Sequence, residues 1–227
     1  IIGLRIKKAV NNFGTTLILI NSKKTKLKAW AKNEILPNSG TEVALVNALG
    51  NVVLNLKTYD SSKIKIEEDF KNWLNTYSPQ KVSETTGLDS NLISNLAETI
   101  TSAESCIFLL GRDIIFHPQN QELIEAVYNL AYLSGTLNKP HSGVNLLWEY
   151  NNSQGALDMG LLPDRLPGLV PLNKDDYRRT VDEVWQSKIS TQPGLNTHQI
   201  LNGVDRGEIK FLYVMGENLV ANYPDRK

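Results

Sequence analysis

The sequence predicts an α/β fold, a mostly parallel sheet flanked by helices in dinucleotide-binding-like layers. Three observations predict it. Thr15–Ile20, Cys106–Leu110 and Ile209–Val214 are short, almost unbroken β-prone runs, as expected of strands covered on both faces. Stretches with helical spacing of apolar residues separate them, and that alternation argues for layers around a parallel sheet. With 227 residues, 41% of them hydrophobic, the chain can bury a sizeable core.

Each element has its own signal. Ile2–Val10 carries apolar residues at helical spacing and meets Asn11-Asn12 and then Gly14, a stop signal. Thr15–Ile20 is the first strand, and Glu34-Ile35-Leu36, closed by Pro37, is a second. A strong helix opens near Ser39-Gly40-Thr41-Glu42, with Val43, Leu45, Val46, Leu49, Val52 and Val53 on its apolar side. Thr41 fits its N-cap and Ser39 with Glu42 fits a capping box, so two starts stay open. Helical patterns follow at about 67–77 and 89–103, with Asp89 or Ser90 as cap of the second. A helix over 119–134 comes after the Cys106–Leu110 strand. A helix near 196–206 and the strand Ile209–Val214 close the chain.

Between them, 135–171 reads as irregular. Structureless loops of that length are usually functional or disordered, and its apolar content (Val144, Leu146, Trp148, Leu157, Met159, Leu161) argues for order. The expected organisation is therefore a single α/β domain over 1–227 with a long ordered loop at 135–171. The first residue is Ile and no closing element follows Tyr223-Pro224, so the chain is expected to be an excised piece of a larger subunit.

Charge and cysteine content bound the partners. Lys+Arg and Asp+Glu number 24 each, and a zero net charge gives no argument for a nucleic-acid or membrane-surface partner. Apolar runs such as Leu17–Ile20 are too short to cross a bilayer. Cys106 is the one cysteine, so no intrachain disulfide and no thiolate cluster site can form, and an intracellular setting is expected.

In an open parallel sheet, ligands bind beyond the carboxyl ends of the strands. The loops Asn21–Thr25, Ser39–Glu42 and Gly111–Asp113 qualify. Asn21, at the tip of the first strand, either hydrogen-bonds ribose hydroxyls or makes a turn with Ser22. The cluster Lys23, Lys24, Lys26 and Lys28 either meets a phosphate or forms a solvated face. No G-x-G-x-x-G or P-loop is present, and His117, His141 and His198 are scattered with no carboxylate at ligand spacing, so no metal site is expected. No nucleophile elbow exists, and Cys106 inside a strand reads as packing rather than as a reactive thiol. Asp158 and Asp164 hold their loop together rather than forming a catalytic pair. No catalytic residue is assigned.

The segment Asn152-Ser153-Gln154-Gly155-Ala156-Leu157-Asp158-Met159-Gly160, with Leu162-Pro163-Asp164 and Leu166-Pro167-Gly168 after it, resembles a motif of the molybdopterin oxidoreductases. Gly3–Ala9, Gly40–Leu45, Asn129–Gly135, Lys139–Asn145 and Ile209–Asn218 resemble further segments of that family in the same order, so the resemblance covers nearly the whole chain. It implies an α/β domain holding one guanine-dinucleotide arm of a molybdopterin cofactor, with the molybdenum ligand and the iron–sulfur cysteines upstream. No cofactor is expected in this piece alone, although the family uses molybdopterin guanine dinucleotide and iron–sulfur clusters.

The departures from the family pattern also carry implications. Asn21-Ser22 stands where the family often has an acid and a proline, Glu42 replaces an aspartate, and Gly111-Arg112-Asp113-Ile114-Ile115-Phe116-His117 replaces a glycine-rich strand end. Asn21, Ser22, Thr41, Glu42, Gly111 and His117 are thus the implied, vestigial cofactor-binding residues. Within the family this erosion is similar to the large iron–sulfur subunit of NADH-quinone oxidoreductase, which keeps the fold as a scaffold beside an iron–sulfur wire. The alternative is a formate dehydrogenase alpha subunit with a working cofactor. The implied partners are the remainder of the subunit and other subunits of a membrane-associated redox complex on the cytoplasmic face. Neither nucleic acid nor direct membrane insertion is implied.

Overall fold

The computed structural model describes residues 1–56, 65–115, 117–148 and 150–222. The chain forms two compact units, Ile1–Trp148 and Glu149–Lys227, where the sequence suggests a single domain over 1–227. Trp148-Glu149-Tyr150 has none of the Gly, Pro or Ser content that marks a linker, so composition does not reveal the boundary.

The first unit runs α1 (Ile2–Phe13), β1 (Ile18–Ile20), a 3-10 turn (Lys26–Trp30), β2 (Asn33–Ile35), α2 (Glu42–Leu56), α3 (Glu68–Leu74), α4 (Pro79–Thr86), α5 (Ser90–Ser102), β3 (Ile107–Leu110), α6 (Arg112–Ile115), α7 (Asn120–Leu133), a 3-10 turn (Thr136–Asn138) and β4 (Gly143–Leu146). Its centre is α2. Leu45, Val46, Ala48, Leu49, Val53 and Leu54 are all buried, on more than one face, and a helix that is apolar all round belongs in a core. Four valines and Gly50 make it a poor helix by propensity, so packing against α3, α4, α5 and α7 holds it. The buried Asn51 is satisfied, since its Nδ2 donates to the Leu74 carbonyl at 3.2 Å and to Asn75 Oδ1 at 3.1 Å.

Asp89 caps α5 as expected, its Oδ1 accepting from the amides of Asn91 and Leu92. The other end is closed by Lys139, whose Nζ donates to the carbonyls of Ala103 at 2.7 Å and Thr101 at 3.3 Å. Burial pushes the Cys106 thiol above its ordinary pKa, and the positive charge of Lys139 opposes that rise. Lys139→Met should therefore cost about 1–2 kcal/mol in urea unfolding, by loss of charge-assisted bonds to helix-end carbonyls. It should also slow alkylation of Cys106 at fixed pH, because the thiol moves further up. Faster alkylation of a folded variant would contradict this placement of Lys139.

The sheet is parallel but small. β1 pairs with β2 from Ile18↔Asn33 to Ile20↔Ile35, and β3 pairs with β4 from Ile107↔Gly143 to Leu110↔Leu146, as separate two-stranded sheets. Three expectations need correction. Strand β1 covers only the last three residues of the 15–20 run. In β3 the side chains alternate: Phe108 and Leu110 face the core while Ile107 is 56% and Leu109 40% exposed, so only one face is covered. Ile209–Val214 is no strand, and Phe211 in it is 81% exposed. A β-prone run becomes a strand only where an edge is available to pair with.

The second unit contains α8 (Ser153–Asp158), β5 (Arg165–Leu166), a 3-10 turn (Pro167–Leu169), β6 (Val170–Pro171), α9 (Asp175–Trp185), α10 (Thr197–Asp205) and α11 (Leu219–Asn222). Strands β5 and β6 form a short antiparallel hairpin. The stretch 135–171 is not the irregular loop expected, since β4, α8 and this hairpin lie among its described residues. Among the described residues no helix is long and apolar enough to cross a membrane.

Candidate functional site

The site is assembled at the carboxyl ends of β1 and β3 and at the start of α2. At the tip of β1 the Asn21 amide donates to the Ile35 carbonyl at 3.1 Å, and Asn21 Oδ1 accepts the Ser22 amide at 2.9 Å. The first bond extends the β1–β2 pairing and the second is local, and together they leave the Asn21 carboxamide N–H groups as its remaining donors. Below this loop, the Thr25 amide donates to Glu34 Oε1 at 3.2 Å and Lys28 pairs with Glu34 Oε2 at 3.3 Å.

Thr41 serves the turn into α2, its hydroxyl donating to the Asn38 carbonyl at 2.6 Å. Asn38 in turn is held by α4, with its amide bonded to the Thr86 carbonyl and its Nδ2 to the Thr85 carbonyl. The next residue, Glu42, is the first of α2, where the helix dipole favours a carboxylate.

His117 reaches the same place from the loop after β3. Its Nδ1 accepts the Gln119 amide at 3.0 Å, so the neutral ring carries its proton on Nε2, and Nε2 lies 3.5 Å from Glu42 Oε2. Both side chains are largely covered, yet Glu42 Oε2 has no hydrogen-bond partner. A buried carboxylate oxygen with an open lone pair is costly unless something donates to it. At Gly111 an added Cβ would meet nothing within 4 Å, so the end of β3 is open ground.

The fold therefore brings Glu42 and His117 together, far apart as they are in sequence, with Thr41 beside Glu42. Asn21 and Ser22 bond to each other rather than to that pair. Gln119 and Asn38 position site residues and carry no sequence signal for it, because both act through backbone geometry. Arg112 and Asp113 form the exposed first turn of α6. Phe116, counted among the eroded positions, lies outside the described residues. Among the described residues no three His, Cys, Asp or Glu side chains are grouped to hold a metal ion. An open cleft of about 520 Å³ lies in the second unit between Gly168 and Tyr177 and contains none of these residues. Glu42 Oε2, in ion-pair range of His117 but without a hydrogen bond, is a better guide to binding chemistry than that shallow concavity.

Comparison with known proteins agrees along the whole length. The molybdopterin oxidoreductase family description matches residues 1–227. The F420-dependent formate dehydrogenase subunit alpha of Methanocaldococcus jannaschii is 34% identical over 100% of this chain and 34% of its own length. Formate dehydrogenase H of Escherichia coli is 30% identical over 90% of this chain and 29% of its own. The chain thus spans about a third of the length of these relatives. Acetylene hydratase from Pelobacter acetylenicus superposes with a TM-score of 0.53 at 24% identity, over 57% of this chain and 18% of that one, a likeness of fold. Both curated relatives bear formate dehydrogenase names, so the finer resemblance to the large subunit of NADH-quinone oxidoreductase has no support from them. That resemblance rests on local departures at Asn21-Ser22, Glu42 and above all 111–116, whereas the similarity to the formate dehydrogenases runs through nearly all of the chain. The chain belongs to the molybdopterin oxidoreductase family.

Proposed function

We propose that this chain is the part of a molybdenum-dependent formate dehydrogenase alpha subunit that holds a guanine-nucleotide arm of the cofactor. The observation that carries the proposal is Glu42. Its Oε2 is buried, faces His117 and has no hydrogen-bond partner, and it sits at a helix start beyond the strand ends. Guanine presents N–H donors at N1 and N2 side by side, and a carboxylate accepts both. The donor set fits the nucleotide: Asn21 and Ser22 offer polar groups for a ribose, and Gly111 leaves space beside β3. Asp113 opposes a pyrophosphate by charge, although it is exposed. When bound, the cofactor supplies the redox chemistry of its metal. The residues of this chain bind and orient its nucleotide end. In this reading the partners are the rest of the same subunit and the other subunits of a redox complex.

Calorimetric titration with GDP tests the proposal. Submillimolar binding is expected, weakened at least about tenfold by Glu42→Ala, which corresponds to about 1.4 kcal/mol. ADP, whose base lacks that donor edge, should bind more weakly. No heat at millimolar GDP would leave a scaffold without a nucleotide site.

A further inference from the structure

The zero net charge of the chain conceals a segregation. The first 33 residues contain eight basic side chains and no acidic one, so this segment carries a formal +8 and the remainder −8. Arg5, Lys7 and Lys8 lie on α1, and five lysines lie between Lys23 and Lys32. The fold joins the two groups: α1 packs on the 3-10 turn Lys26–Trp30, and Lys7 Nζ sits 4.0 Å from the centre of the Trp30 ring. All eight except Lys7 are exposed. Glu34, which pairs with Lys28, has its carboxylate under the patch with only 5% of the side chain exposed.

The same region is apolar as well as basic. No residue of α1 is buried, and Leu4 and Phe13 in it are 70% and 74% exposed. Ile6, Ala9 and Val10 on one side of α1 are half-buried, whereas Leu4 stands on the exposed side with Arg5 and Lys8, and Ile2 and Phe13 flank it. We propose that α1 and the Lys23–Lys32 segment form a docking surface for an anionic lipid bilayer, with the lysines on headgroup phosphates and the α1 side chains at the acyl boundary. An acidic protein would match the charge but would not call for large apolar side chains standing free among the lysines. A basic amphipathic helix with bare apolar residues matches a lipid interface on both counts. The contact is interfacial, since α1 has 12 residues and is too short to span a bilayer.

Co-sedimentation of the chain with vesicles decides the matter. Phosphatidylcholine vesicles containing about a third phosphatidylserine should pellet the protein, and phosphatidylcholine alone should not. Raising salt from about 0.1 to 0.5 M should release it, because exposed charges are screened. The double variant Lys8→Glu, Lys32→Glu should lower the partition coefficient at least about tenfold, and Phe13→Ser a few-fold, with circular dichroism unchanged. Equal pelleting with neutral vesicles, or binding untouched by the charge reversals in a folded protein, would overturn the proposal. So would retention on a polyglutamate resin without any vesicle binding, which would assign the patch to an acidic protein.

Discussion

Leu110→Ala should destabilise the first unit by about 2–5 kcal/mol, whereas Leu109→Ala, one residue earlier in the same strand, should cost less than about half as much. The difference is geometric. Leu110 is 5% exposed and belongs to the core that surrounds α2, while Leu109 points to the other face of β3. Truncating Leu110 leaves a cavity in a closely packed core whose neighbours cannot close it by moving. Truncating Leu109 removes apolar surface that is partly in water already. Urea unfolding followed by circular dichroism measures both, as midpoint shifts at unchanged slope. Equal losses would show that the outer face of β3 is covered in solution.

That pair also shows what could be read from sequence. An unbroken run such as Ile107-Phe108-Leu109-Leu110 announces a strand, but it gives no indication which face is covered, because all four residues are apolar. Helices with stop and start chemistry were legible: Gly14 ends α1 and Asp89 caps α5, whereas the capping box of Asn196 with Gln199 at α10 emerges only in the structure. The helix α4 carries the same kind of signal but escapes a reading by periodicity, with Ser78 as N-cap, Pro79 at the first position and a left-handed Gly87 beyond. It is short and its apolar pattern is weak. The acidic first turn of α9, Asp175-Asp176, escapes in the same way. Strand β4 has only Val144 and Leu146 to identify it, and it becomes a strand because β3 offers an edge. At the candidate site, Glu42 and His117 are each chosen by resemblance, but their approach depends on how α2 and the loop after β3 pack. No local pattern encodes that contact.

Gly160→Ala should be the most damaging single-methyl change in the second unit, at about 3 kcal/mol or more. Two costs combine. Gly160 ends α8 in a Schellman arrangement, with its amide bonded to the Leu157 carbonyl at 2.9 Å and the Leu161 amide to the Ala156 carbonyl at 3.1 Å. Its φ of +80° is left-handed, which costs a residue with a Cβ about 1–2 kcal/mol. The added methyl would also lie 2.8 Å from the Pro167 nitrogen and 3.0 Å from the Leu166 carbonyl carbon, and these backbone atoms cannot rotate away as a side chain can. Overpacking of that kind costs about 1–3 kcal/mol more. Gly155→Ala is the control. Its methyl meets the Asn152 side chain, which can move, and helix propensity at that position favours alanine. Native-state trypsin digestion reads the difference, because Arg165 lies on β5, which the Gly160 turn supports through Leu166 and Pro167. The unsubstituted chain and Gly155→Ala should resist cleavage there, and Gly160→Ala should be cut at least about tenfold faster as local opening becomes cheaper. Equal cleavage rates for all three would show that the turn at Gly160 does not support the β5–β6 hairpin.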